Sequence, residues 1–74
     1  MEQSVSTPKS LGDVIRRHRK LRKLTQKEAG SPYKLEQSTV STLEKGASGT
    51  RLKTLFRMLS ALNLEIVIRE KNDL

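Results

Sequence analysis

The sequence predicts a small all-α domain of four helices, followed by a single β-strand near its C-terminal end. Three observations carry this. Apolar residues recur at spacings of three and four along most of the 74 residues, the period of helices with one buried face. Thr25 and Glu28 form a capping box, which sets a helix start in the middle of the chain. After Asn63 the period falls to two, the period of a strand.

A chain of this length holds one domain of marginal stability, which dimerisation would help. It has no cysteine, so neither a disulfide nor a thiolate metal site is available. No apolar run approaches the roughly 20 residues of a membrane span, and the first nine residues lack the apolar core of a secretory signal. The expected location is cytoplasmic, at the nucleoid. The net charge of +7 favours polyanions: DNA, RNA or an anionic membrane. Membrane is the weakest of these, because no helix sets a basic face against bulky aromatics. Tyr33 and Phe56 are the only aromatics, which weakens the case for single-stranded nucleic acid. An enzyme is not expected. The one histidine lies in an apolar stripe, no glycine-rich phosphate loop of the right form is present, and no acids cluster. No catalytic residue, cofactor or metal ligand is assigned.

Residues 1–9 are polar and without period, with Pro8 discouraging regular structure, and read as a flexible arm. The arm carries Glu2 and Lys9 as its only charges, so it is poorly suited to a minor groove. Helix one is expected over 10–23, capped by Ser10. Leu11, Val14, Ile15, His18 and Leu21 form its buried stripe, with His18 as a half-buried core residue. Its arginines and lysines read as a solvated face, some of them near phosphates if a neighbouring helix enters a groove.

Helix two begins at Gln26. Ala29 and Gly30 are small enough for close packing, and Leu24 and Tyr33 are expected to plug the core. Pro32 forces one of two outcomes: the helix stops near Ser31, or Ser31 caps a fresh turn with Pro32 first in it. Helix three spans 37–45. Val40 and Leu43 share its inner side, while Gln37, Ser38, Ser41, Thr42 and Lys45 share the other. Small hydroxyls, an amide and one cation can approach base edges closely and offer them donors and acceptors. Gly46, Ser48 and Gly49 mark a loop. Helix four spans 51–62, with Leu52, Leu55, Phe56, Leu59 and Leu62 as its buried face, Met58 and Ala61 widening it, and Asn63 as its cap.

In the tail, Leu64, Ile66 and Ile68 alternate with Glu65, Val67 and Arg69. A lone strand has no partner in its own chain and leaves an open edge. Pairing with a second copy across a two-fold axis resolves this, and the alternatives are a fifth helix or a frayed end. The expected organisation is an arm over 1–9, a DNA-binding domain over 10–63, a dimerisation strand over 64–70 and a tail over 71–74.

Residues 26–45, with LTQKE and QSTVSTLEKG as signature stretches, resemble the helix-turn-helix of the Xre and lambda-repressor class. The likeness extends over about residues 10–62, and the ending ALNLEIVIRE is similar to antitoxins of the HipB type. The resemblance implies a lambda-repressor-like four-helix fold whose terminal strand pairs in a homodimer through Leu64, Ile66, Val67 and Ile68. It implies that Gln26 touches phosphate and buttresses the base-reading residue, that Gln37 and Ser38 read bases, and that Thr39, Ser41 and Thr42 touch phosphates or a thymine methyl. Lys45 joins this DNA-facing set. Gln37 could bond adenine in bidentate fashion, and Gln26 and Gln37 could bond each other. Arg19 and Glu44 match an ion pair tying helix one to helix three. The sequence departs from the family at His18, usually leucine, at Lys23 and Lys34, usually glycine, at Glu36, usually Ser or Thr, and at Pro32. Glu36 is expected either to cap weakly or to repel phosphate.

The function this implies is a dimeric, sequence-specific repressor. It would be the antitoxin of an operon that it represses itself, with a near-palindromic double-stranded operator and a HipA-like kinase toxin as partners. Two alternatives stand beside it: a toxin-binding inhibitor whose DNA binding is incidental, and a free-standing phage-type or metabolic regulator.

Overall fold

The computed structural model describes residues 2–46 and 48–71. Met1 of the expected arm and residues 72–74 of the expected tail lie outside the described residues. The chain folds as α1 (Pro8–Leu21), α2 (Gln26–Gly30), a short 3-10 turn (Ser31–Tyr33), α3 (Gln37–Glu44) and α4 (Leu52–Ala61).

α1 begins earlier than its apolar stripe suggests. Thr7 is its cap: the Thr7 hydroxyl accepts the Ser10 N–H, and the Ser10 hydroxyl accepts the Thr7 N–H. Pro8 stands at the first helical position. There its missing N–H costs nothing and its fixed φ favours the helix. Ser10 is therefore the third residue of the first turn and not the cap. α2 starts at Gln26 under the Thr25–Glu28 capping box. Pro32 ends it at Gly30 and sits inside the tight turn that follows.

Three helical segments end on a left-handed residue that is not glycine: Lys23 at φ 57°, Lys34 at φ 59° and Asn63 at φ 56°. Each end closes the same way. Leu24 N–H donates to the Arg19 carbonyl (3.3 Å), Leu35 N–H to the Gly30 carbonyl (3.0 Å) and Leu64 N–H to the Leu59 carbonyl (2.8 Å). This is the Schellman closure, with a leucine following each left-handed residue and turning the chain back to the core. The two lysines occupy the positions where the Xre class usually has glycine. A side chain there costs about 1 kcal/mol.

The core is Ile15, Ala29, Leu35, Val40, Leu43, Met58, Leu59 and Leu62, with Leu11, Leu24, Leu55, Ala61 and Leu64 packed against it. α3 lies at the centre, against α1 on one side and α2 on the other, while α4 packs on α2 and the 3-10 turn. The α1–α3 crossing is close because Gly12 lies in it. A Cβ at Gly12 would stand 2.6 Å from the Leu43 carbonyl oxygen and 2.7 Å from that of Glu44.

Four expected core residues are exposed: Leu21, Tyr33, Leu52 and Phe56. Their spacing is correct for a shared face, but a domain this small cannot cover the full width of each apolar stripe. Met58, expected only at the margin of the α4 face, is instead fully buried.

The strand expected over 64–70 is absent from the single chain, where residues 64–71 form neither helix nor strand. A strand exists through the hydrogen bonds of its neighbour, and none lies beside this segment among the described residues. Leu64 packs on the core, whereas Ile66, Val67 and Ile68 are exposed. Arg69 reaches back to the arm, donating to the Glu2 carboxylate (3.1 Å) and the Ser4 hydroxyl (3.4 Å).

Candidate nucleic-acid interface

α3 presents Gln37, Ser38 and Thr42 to solvent, and Lys45 is exposed just past its end. Thr39 and Ser41 lie half-buried on its two flanks, and Val40, Leu43 and Glu44 are buried beneath it. Glu36 occupies the cap position, yet its carboxylate accepts no bond from the helix. Its carbonyl takes the N–H groups of Thr39 (3.0 Å) and Val40 (3.1 Å) instead. The carboxylate still lies at the positive end of the helix.

The inner side of α3 is anchored by charge as well as by apolar contact. Arg19 from α1 grips Glu44 with two parallel bonds, Nε to Oε2 (2.5 Å) and Nη2 to Oε1 (3.0 Å). The two side chains are only 11% and 4% exposed. The remaining Arg19 amino group donates to the Leu24 carbonyl (2.8 Å), which ties the α1–α2 connection into the same cluster. Gln26, at the start of α2, donates its amide to Glu44 Oε1 (3.2 Å). Three helices thus meet on one carboxylate. Burial opposes ionisation of Glu44, but the hydrogen bonds from Arg19 and Gln26 and the charges of Arg19 and Arg16 outweigh it, holding the carboxyl below its ordinary value. The Glu44 hydrogen bond likewise raises Arg19, against the opposing effect of burial.

The structure therefore brings Arg19, Glu44 and Gln26 together. No hydrogen bond joins Gln26 to Gln37 among the described residues: the Gln26 amide is occupied by Glu44. On the outer side, Ser38, Thr39 and Thr42 share a shallow hollow with Gly49, Thr50, Arg51 and Thr54. Thr50, Arg51 and Thr54 were not singled out from the sequence. Their signal was there: hydroxyls and a cation at a helix start, just after a glycine-containing loop. Arg16, Arg17 and Lys20 along α1, and Arg22 and Lys23 just past its end, are exposed. Among the described residues no helix is long and apolar enough to cross a membrane.

A short helix fixed from beneath by two neighbours, carrying small polar groups outward on a strongly basic domain, defines the helix-turn-helix class of DNA-binding domain. The chain belongs to the Xre-type helix-turn-helix family, whose model, described as "Helix-turn-helix", matches residues 15–68. Among solved structures it resembles HipB in a HipA–HipB–O2–O3 complex, with 25% identity and a TM-score of 0.90 over 96% of this chain and 100% of that one. It also resembles a HipB variant in complex with an O2 20mer (26% identity, TM-score 0.88, 95% and 97% of the two chains). A third likeness is to HipB in an O4 20mer complex (26%, 0.87, 93% and 97%). No curated protein matches the chain.

Proposed function

We propose that this chain is a homodimeric, sequence-specific DNA-binding repressor, the antitoxin of an operon that it represses itself and the binding partner of a HipA-like kinase toxin. The observation that carries the DNA half is α3: a row of short polar side chains on a helix held rigid by the buried Arg19–Glu44–Gln26 cluster. The antitoxin half draws support from the likeness to HipB in complexes with HipA and with 20mers over nearly the full length of both chains.

In this reading Gln37 and Ser38 contact base edges, and Thr42 and Lys45 contact phosphate or a thymine methyl. Thr39 and Ser41 contribute from the flanks. Gln26 hydrogen-bonds phosphate through the part of its amide that Glu44 leaves free. Arg51, beside Ser38 and Thr42 in the same hollow, adds a cation against the backbone. Residues 10–63 are the DNA-binding unit. The tail over 64–70 joins two copies through Leu64, Ile66, Val67 and Ile68, which places two α3 helices on half-sites about one DNA turn apart and requires a near-palindromic operator.

Fluorescence anisotropy on the DNA upstream of the chain's own gene, against scrambled DNA of equal length, tests this. Gln37→Ala with Ser38→Ala is expected to abolish the preference for the native sequence while leaving salt-sensitive binding to both DNAs. Equal binding of the unsubstituted protein to both DNAs would sink the repressor reading. Co-purification with the kinase encoded by the adjoining reading frame tests the antitoxin half. A double variant that still captures the kinase would separate the two activities.

A further inference from the structure

One carboxylate stands where DNA makes it costly. Glu36, Gln37 and Ser38 are three consecutive exposed residues at the start of α3. The other acids of residues 8–62 are all engaged. Asp13 pairs with Lys9, the Glu28 carboxylate accepts the Thr25 N–H, and Glu44 is held by Arg19 and Gln26. Glu36 makes no side-chain cap bond to α3 and, among the described residues, no ion pair with a lysine or arginine. Its extended backbone (φ −73°, ψ 154°) leads into the helix, and its carbonyl already takes the first N–H groups of α3. A negative charge at a helix start helps the fold a little. Beside phosphates the same charge opposes binding.

The chemistry of a carboxylate narrows what it can face in a groove. It offers acceptors and no donor. Phosphate oxygens, guanine N7 and O6, and thymine O4 are acceptors too, and they repel it. Two major-groove groups donate: cytosine N4 and adenine N6. Adenine sets its N7 acceptor beside the amino group, which suits the donor and acceptor of the Gln37 amide. Cytosine's own edge presents the amino group alone, which suits a carboxylate.

We propose that Glu36 is a specificity-determining residue of this interface, its carboxylate accepting the N4 amino group of one cytosine in each half-site. This rests on the reading of α3 as the groove helix and adds the base that its first exposed side chain selects. The electrostatic cost of the anion falls on every DNA sequence, and a cytosine in the right place offsets it. Glu36 thereby acts chiefly against wrong sites. A chain of net charge +7 is drawn to any DNA, and an acid among the reading residues restrains that attraction wherever the matching amino group is missing.

The test is a base-by-base titration. The DNA upstream of the chain's own gene, with each base pair replaced in turn, is titrated by fluorescence anisotropy with wild type, Glu36→Gln and Glu36→Ala. For wild type, replacing one C·G pair in each half-site is expected to weaken binding about 5- to 150-fold. In Glu36→Gln the preference at that pair is expected to move from cytosine to adenine, because the amide adds a donor for adenine N7. In Glu36→Ala the preference at that pair is expected to vanish while the neighbouring pairs keep theirs. Both variants are expected to bind scrambled DNA more tightly than wild type does. Thermal melts check that each variant keeps its fold. A wild type that prefers the native DNA, with base preferences that survive both substitutions, would overturn the role of Glu36 alone. The same holds if the variants merely tighten on every sequence alike, which is phosphate repulsion without base reading. A wild type that binds native and scrambled DNA equally would overturn the repressor reading and the role of Glu36 together.

Discussion

Replacing Arg19 with methionine should cost a large share of the domain's stability, and the cost can be worked from the site. The change keeps the length and apolar stem of the side chain but removes both bonds to Glu44 and the bond to the Leu24 carbonyl. Glu44 stays buried, with Gln26 as its remaining side-chain donor among these groups. Breaking a buried ion pair from one side costs about 3–5 kcal/mol, because a charge is left without its partner. A domain of this size has about 4–11 kcal/mol in all. The expected loss is at least about 12 °C in melting temperature, followed by circular dichroism at 222 nm. The pH dependence has a definite sign. In the wild type the Glu44 carboxyl is held low, so its contribution is full above the unfolded-state value and is lost as pH falls through the lower folded-state value. In Arg19→Met, burial without its main partner raises the carboxyl, so protonation relieves the variant. The stability gap between the two proteins should therefore narrow as pH drops from neutrality toward about 4. Replacing Glu44 with leucine in the same chain removes the stranded charge and should recover most of the loss. A single variant within 1 kcal/mol of wild type, or a double variant no better than the single, would refute the claim that this pair anchors α3.

Two further outcomes concern the backbone. Lys23→Gly and Lys34→Gly should each stabilise the fold by about 1 kcal/mol, since both lysines hold a left-handed φ that glycine adopts freely; urea midpoints measure this, and Lys23→Gly should leave operator preference unchanged. Gly12→Ala should destabilise by about 1–3 kcal/mol, because the new methyl meets rigid carbonyls of α3 and no mobile side chain. The same melts would show it, together with a loss of operator binding that exceeds the loss of folded protein.

The parts of the fold legible in the sequence were those set by local chemistry. The Thr25–Glu28 box fixes the start of α2 to the residue, and the outward polar row of α3 follows from its period. What local chemistry could not give was the extent of each buried face. Leu52 and Phe56 share the period of the α4 core residues, yet both are exposed. The start of α1 was hidden for another reason. Pro8 reads as a breaker unless Thr7 and Ser10 are recognised as the two halves of a box around it. The hollow beside α3 draws residues from the α3–α4 connection and from α4 itself, and only the folded chain places them together.

The anchoring of α3 follows from the composition that fits it to DNA. Its eight residues include two serines, two threonines and a valine, all of which disfavour helix because they are β-branched or compete for backbone bonds. So short a helix of such residues would not persist alone. Larger helix formers would correct this, but they would hold the backbone away from base edges. The stabilisation therefore comes from the inner side, through Val40, Leu43 and the Glu44 cluster, and from the close crossing at Gly12. A perturbation on that inner side should disorder α3 before it unfolds the domain. Hydrogen exchange on the α3 amides of Arg19→Met should accelerate beyond what its global stability accounts for, while the α4 amides should exchange only through global unfolding.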